Sequence, residues 1–255
     1  MGLLAMSTSF KGARLKVKRA DKYIADIELS INSLKKRLVC RAHVNPSTGN
    51  EYIKCDFADL QDRESFEYLP AIIGDAVHNL KCSLDHAWLE TMSRLIPSRD
   101  WSRSKFPVHP TRDDFESAPN NAEVFALAPN FFELLIGEIK PYGGGDFAIR
   151  TVHELDIRDK HRLLIPIVHY SSIGDIYVKD KQGERHRGGT WGTIDPLPHF
   201  VQFERGIHIE DPGSASFDVM FQYGDAGRET RAVDTLRVYS MHMLRVVELL
   251  EKFHE

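Results

Sequence analysis

Between Gly74 and His86 the chain reads Gly-Asp-Ala-Val-His-Asn-Leu-Lys-Cys-Ser-Leu-Asp-His. At about 100° of helical rotation per residue, Ile73, Val77, Leu80, Leu84 and Trp88 form one apolar stripe. Asp75, His78, Asn79, Cys82 and His86 gather on the opposite side. A merely solvated face is usually built from Glu, Lys, Arg and Gln. Asp, His and Asn each cost about 0.5 kcal/mol of helix propensity relative to alanine. A helix that carries this set on one face has a use for it.

Three chemistries fit the residue types. Asp75 with His78 or Asn79 could meet at one metal ion, but the ligand set is incomplete. His78 and His86 lie about 12 Å apart along the axis, too far for the four-residue step of paired histidine ligands, so no metal is expected. Nucleophilic catalysis would use Cys82, which has His78 and His86 one helical step away on either side. Metal-independent phosphodiester cleavage would use a histidine as acid and base and a cation on the developing charge, with RNA supplying its own 2′-hydroxyl. Lys81 and His86 offer that pair, and Asn79 and Asp85 could orient it.

A second charged run, Leu155-Asp156-Ile157-Arg158-Asp159-Lys160-His161-Arg162, falls near the end of another helical stretch. Basic groups there suit the helix dipole, and Asp156 and Asp159 can pair with Lys160 or Arg162. Asp159, Lys160, His161 and Arg162 join the site only if this cluster faces His78, Asn79 and His86.

The elements that would position these residues are legible in outline. Ala20, Ile24, Ile27, Ile31, Leu34 and Leu38 follow a heptad seam on a long helix from about Lys11 to Lys36, whose start is crowded with Lys and Arg. Leu38–Val44 and Glu51–Phe57 flank a polar Asn-Pro-Ser-Thr-Gly-Asn turn and predict a β-hairpin. Pro70 suits the first turn of the marked helix, and Pro97 ends it. Ser98–Asn121 reads as irregular, with Phe106-Pro107-Val108 as an ordered anchor, and Ala122–Ile139 as a helix interrupted at Pro129. Pro141-Tyr142-Gly143-Gly144-Gly145 reads as a flexible connector, and Asp146 as the cap of a helix reaching about Leu164. Ile165–Lys179, Phe200–Ile209 and Ser216–Tyr223 alternate β-branched and aromatic residues, and Arg231–His254 closes as a helix with a second seam.

Bulk properties exclude several classes. The 255 residues are 42% hydrophobic and 27% charged with net charge −4, an ordinary globular balance without the basic excess of a general nucleic-acid binder. The three cysteines show no CxxC spacing, and the first residues read as a frayed end or upstream start codon rather than a leader. A reducing cytoplasm is therefore expected. No apolar run approaches the roughly 18 residues of a membrane span, so no membrane partner is expected.

The Gly74–His86 run, with Lys140-Pro141-Tyr142 and Asp159-Lys160-His161-Arg162, resembles a widespread family of uncharacterised bacterial proteins. Its members carry a G-D-x-x-H-N-L-R-x-x-L-D-H helix, a Q-P-Y loop and a D-K-H-R helix. The chain is also similar, more loosely, to the HEPN superfamily, helical bundles whose ribonuclease members use an arginine and a histidine at this spacing. Here Lys81 stands at the arginine position, keeping the charge but losing the bidentate fork.

Residues and resemblance together predict one α+β domain over 1–255. It is expected to be mainly a HEPN-like helical bundle drawn from 11–38, 69–97, 122–164 and 231–254. A β-hairpin and a small C-terminal antiparallel sheet occupy 38–57 and 165–223. The expected activity is metal-independent RNA cleavage in a bacterial stress or phage-defence setting, without a cofactor. His86 would be the acid and base, Lys81 the charge stabiliser, and Asn79 and Asp85 the orienters. Asp75, His78, Asp159, Lys160, His161 and Arg162 would form a secondary cluster. The HEPN likeness implies a homodimer, for which a heptad seam offers a surface. Two alternatives stay open: a binding or scaffold protein whose polar cluster fixes helix register, and a metal- or small-ligand-binding domain.

Overall fold

The computed structural model describes residues 10–162, 167–193, 199–221 and 230–253, excluding the side chains of 161–162, 167–171, 190–193 and 199. The chain forms two compact units, one from Met1–Ala25, Ala71–Ile165 and Thr235–Glu255, the other from Asp26–Pro70 and Pro166–Asp234.

The first unit is helical. It takes the first half of α1 (Lys11–Lys35) and nearly all of α3 (Leu69–Leu95), which follows the short α2 (Leu60–Glu67) of the other unit. Three short helices come next, α4 (Arg112–Ser117), α5 (Pro119–Leu127) and α6 (Pro129–Leu134), the last running into a π-helical turn over Leu135–Ile139. Helix α7 (Phe147–Arg162) and most of α8 (Ala232–Lys252) complete it. The apolar stripe of α3 is its core: Ile73, Val77, Leu80, Leu84 and Trp88 are all buried. Trp88 packs on Phe106 and Phe131, and Phe131 on Phe253. Truncating Leu80 or Leu84 to alanine in such a core costs about 2–5 kcal/mol. Asp146 caps α7 as expected, its carboxylate accepting from Ile149 N at 2.9 Å.

Pro141–Gly145 is pinned rather than loose. His109 N donates to Pro141 O, Gly143 N donates to His109 O, and the Tyr142 hydroxyl donates to Ile136 O. A Cβ on Gly143 would overlap Pro110 O, so only glycine allows this approach.

The second unit is built on two antiparallel sheets. The expected hairpin forms as β1 (Leu38–Val44) and β2 (Glu51–Phe57), and β5 (His199–Gln202) adds to β2 to make three strands. The larger sheet has five strands: β3 (Ile167–Lys179), β4 (Arg185–Thr193), β6 (His208–Asp211), β7 (Ser214–Phe221) and β8 (Thr230–Arg231). Strand β3 pairs β4, β6 and β7, and β8 extends the sheet beyond β7. Ile53, Cys55, Ile173, Ile176 and Ile209 form one core cluster, while Phe57, Phe66 and Phe217 stack at mutual distances of 5.2–6.3 Å.

The expected HEPN-like, mainly helical bundle with a small sheet is therefore corrected. The β content is two sheets of three and five strands, and it forms a compact unit of its own. Strand β4 was invisible because Arg185-His186-Arg187-Gly188-Gly189-Thr190 offers no apolar alternation. Ser98–Asn121, expected to be irregular, contains α4, capped by the Thr111 hydroxyl at Asp114 N, and the start of α5. Met1–Met6, Leu164, Ile165, Tyr223 and His254 lie outside the described residues.

Candidate functional site

The polar residues of α3 divide into a buried pair and a half-open cluster. Lys81 Nζ is paired with Asp85 Oδ1 one turn on, and the Lys81 side chain is 5% exposed. Asp85 Oδ1 also accepts from Phe106 N at 2.9 Å, and Oδ2 lies 3.8 Å from Lys105 Nζ. The pair thus holds the Phe106 segment against α3.

The cluster lies where α1, α3 and α7 meet. A Cβ at Gly74 would overlap the Asp159 carboxylate, so glycine at this point lets the Asp159 side chain sit against the backbone of α3. One turn further, His78 Nδ1 is 2.8 Å from Asp156 Oδ1, whose side chain is 4% exposed. Lys160 Nζ donates to the second oxygen, Oδ2, at 2.6 Å. A carboxylate that accepts on both oxygens leaves the imidazole proton on Nδ1, and Nε2 is then free to accept. His78 Nε2 faces Cys82 Sγ at 3.4 Å, and the His78 side chain is 42% exposed. Cys82, His78 and Asp156 thus form one continuous chain of polar contacts.

Helix α1 supplies Lys16, whose Nζ is 3.5 Å from Asn79 Oδ1, while Asn79 Nδ2 donates to Asp75 O at 2.7 Å. Burial pushes the Cys82 thiol up; Lys16 and Lys160 oppose this, and Asp85 and Asp156 add to it. At rest the group is a thiol that needs a base. Burial also raises Asp159, helped by Asp156 and Asp75.

Of the expected site residues, His78, Asn79, Asp159 and Lys160 come together here, with exposed Asp75 at the edge. Lys81 and Asp85 belong to the buried pair. His86 is exposed, and a Cβ at Gly12 of α1 would lie 3.3 Å from its Nδ1. The backbones of His161 and Arg162 end α7, but their side chains lie outside the described residues. Lys16 was not singled out by sequence reasoning, and Asp156 was read only as a local ion-pair partner. The signal for Lys16 was its place in the basic start of α1.

Among the described residues, the groups brought to metal-ligand spacing are Asp180 and Glu184, on the turn between β3 and β4, and His186 at the start of β4. They are solvent-facing, and His186 Nε2 lies 2.8 Å from Asp180 Oδ2. None of them was among the residues weighed for metal binding.

Comparison with protein-family models, curated proteins and solved structures finds no match.

Proposed function

We propose that the helical unit is a thiol-dependent acyl-transfer enzyme, with Cys82 as nucleophile, His78 as base and Asp156 as its orienting carboxylate. The observation that carries this reading is the continuous chain Asp156 Oδ1–Nδ1 His78 Nε2–Sγ Cys82, at 2.8 and 3.4 Å. Cys82 Sγ attacks an acyl carbonyl while His78 Nε2 takes the thiol proton. His78 then returns that proton to the leaving group, and a thioester remains on Cys82. Water attacks the thioester with His78 again as base, releasing the acid and restoring the thiol. Lys16, the strongest cationic influence on the thiol, is the group available to the oxyanion.

Charge bears on the substrate. Asp75, Asp156 and Asp159 stand with Lys16, Lys160 and Arg19, three carboxyl groups and three cations. Such a site has no cationic excess and suits a neutral acyl compound better than a polyanion.

The test is treatment with p-nitrophenyl acetate followed by mass spectrometry of the peptides. The expected product is one acetyl group on Cys82. Cys55, buried and held well above the usual thiol range by its hydrogen bond with Cys40 and by burial, serves as the internal control and should stay unmodified. Labelling of Cys55 as fast as Cys82, or no label on Cys82 in an early acid-quenched sample together with no release of p-nitrophenolate, contradicts the proposal.

A second reading is supported by exposed His86, which lies over the first turn of α1 beside Gly12. Metal-independent RNA cleavage there would use His86 as acid and base. Chelator-resistant cleavage of single-stranded RNA, lost in His86→Ala, would support it. Inert wild-type protein would remove it.

A further inference from the structure

A cleft of about 510 Å³ opens in the helical unit, lined by Trp88, the 103–109 segment, the 118–121 segment and His153. This volume falls within the range of small-molecule pockets, about 300–1,000 Å³. Neither the Cys82 chain nor its lysines line it, so no step proposed above uses it.

The walls are held in place before any ligand arrives. Trp88 Nε1 donates to Ser104 Oγ at 2.9 Å, and its ring meets Phe106 edge-on. His109 is fixed through its backbone to Pro141 and Gly143, and its ring packs edge-on against Phe115. Asn121, 2% exposed, donates from Nδ2 to Phe115 O and lies 3.4 Å from His109 Nε2. A preformed wall lowers the ordering cost of binding.

The lining also has a sign. It carries Arg103, Lys105 and two histidines, and no Asp or Glu. Burial holds both His109 and His153 below the usual imidazole range, so the two rings are neutral hydrogen-bonding groups near neutral pH. His153 Nδ1 is buried with no hydrogen-bond partner. Arg103 and Lys105 are exposed at the mouth, and the nearest carboxylate to Lys105 is Asp85, at 3.8 Å.

We infer that this cleft binds a small organic anion with a flat apolar body. The body would lie among Trp88, Val108 and Pro119, and the anionic group would face Arg103 and Lys105. Trp88, Val108 and Pro119 give the body apolar contact in a lining that is otherwise about half polar, and the pair of cations selects the charge.

The probe is anilinonaphthalene sulfonate, a flat aromatic anion that brightens on leaving water. It is titrated into the whole protein at low salt, with circular dichroism confirming that each variant is folded. The expected result is one bound probe per chain. Affinity should drop about tenfold or more in Arg103→Glu/Lys105→Glu and fall as salt is raised. Val108→Trp, which fills the cleft, should abolish binding; should it fail to fold, the charge reversal alone decides, since both positions are exposed. No binding by wild type, several equivalent sites, or affinity unchanged by the charge reversal would overturn the inference. Because Cys82 is not in the lining, Cys82→Ser should bind the probe as wild type does.

Discussion

Two ion pairs in which α3 takes part, Lys81–Asp85 within the helix and His78–Asp156 between α3 and α7, differ in what they leave free. In Lys81–Asp85 both partners sit on one helix, the ammonium is 5% exposed, and the carboxylate is also bound to Phe106 N. In His78–Asp156 the carboxylate is more deeply buried, at 4% against 16% for Asp85, but the base is 42% exposed. Its second nitrogen points at a thiol. The first pair uses its hydrogen-bonding capacity internally and acts as a brace. The second holds a base in one tautomer and presents it to a nucleophile. Burial of the carboxylate does not separate a structural pair from a chemical one; the freedom of its partner does.

Breaking the brace should have the largest effect. Lys81→Met takes the nearer of two cations from Asp85, which is 16% exposed, and costs about 1–3 kcal/mol in urea unfolding. Lys81→Met/Asp85→Leu, which removes both charges, should recover much of that loss. If Lys81→Met unfolds at the wild-type urea concentration, the brace is not one.

Disabling the second pair should do the reverse. His78→Ala should slow Cys82 acetylation by about 10²–10⁴-fold while changing stability far less than Lys81→Met does. A variant that melts early and reacts normally would exchange the two assignments.

The smallest effect sharpens the electrostatics. Asp159 is raised by burial and then by Asp156 and Asp75. Its folded range lies above its unfolded one, so the associated stability is complete below the unfolded range and is lost as pH rises through the folded range. Asp159→Asn should therefore melt higher than wild type at neutral pH, by no more than about 1 kcal/mol given solvent screening. That gain should shrink in acid. A loss of stability at neutral pH would show that the charge is compensated.

The contrast between the pairs also marks how far the sequence could be read. Periodicity located the apolar stripe of α3, the prolines marked its ends, and the Asn-Pro-Ser-Thr-Gly-Asn turn predicted the hairpin over the strands that form. All of these signals are local. The His78–Asp156 bond joins residues 78 positions apart, and nothing in either helix specifies that distance. Lys81 was read as an available cation because charged residues usually face water. Its burial depends on Asp85 and on the backbone of Phe106, a segment whose docking only the fold reveals. The lining of the cleft is similarly dispersed over four stretches of chain, at Trp88, 103–109, 118–121 and His153.

The most direct test of the central claim is a double-mutant cycle on the Cys82 acetylation rate, using wild type, His78→Ala, Asp156→Asn and the double variant. If Asp156 acts only by holding His78, Asp156→Asn should slow the reaction by about 10²-fold or more, and the double variant should be no slower than His78→Ala. Losses that multiply in the double variant, or an Asp156→Asn protein as fast as wild type, would contradict the assignment of Cys82, His78 and Asp156 to one catalytic unit.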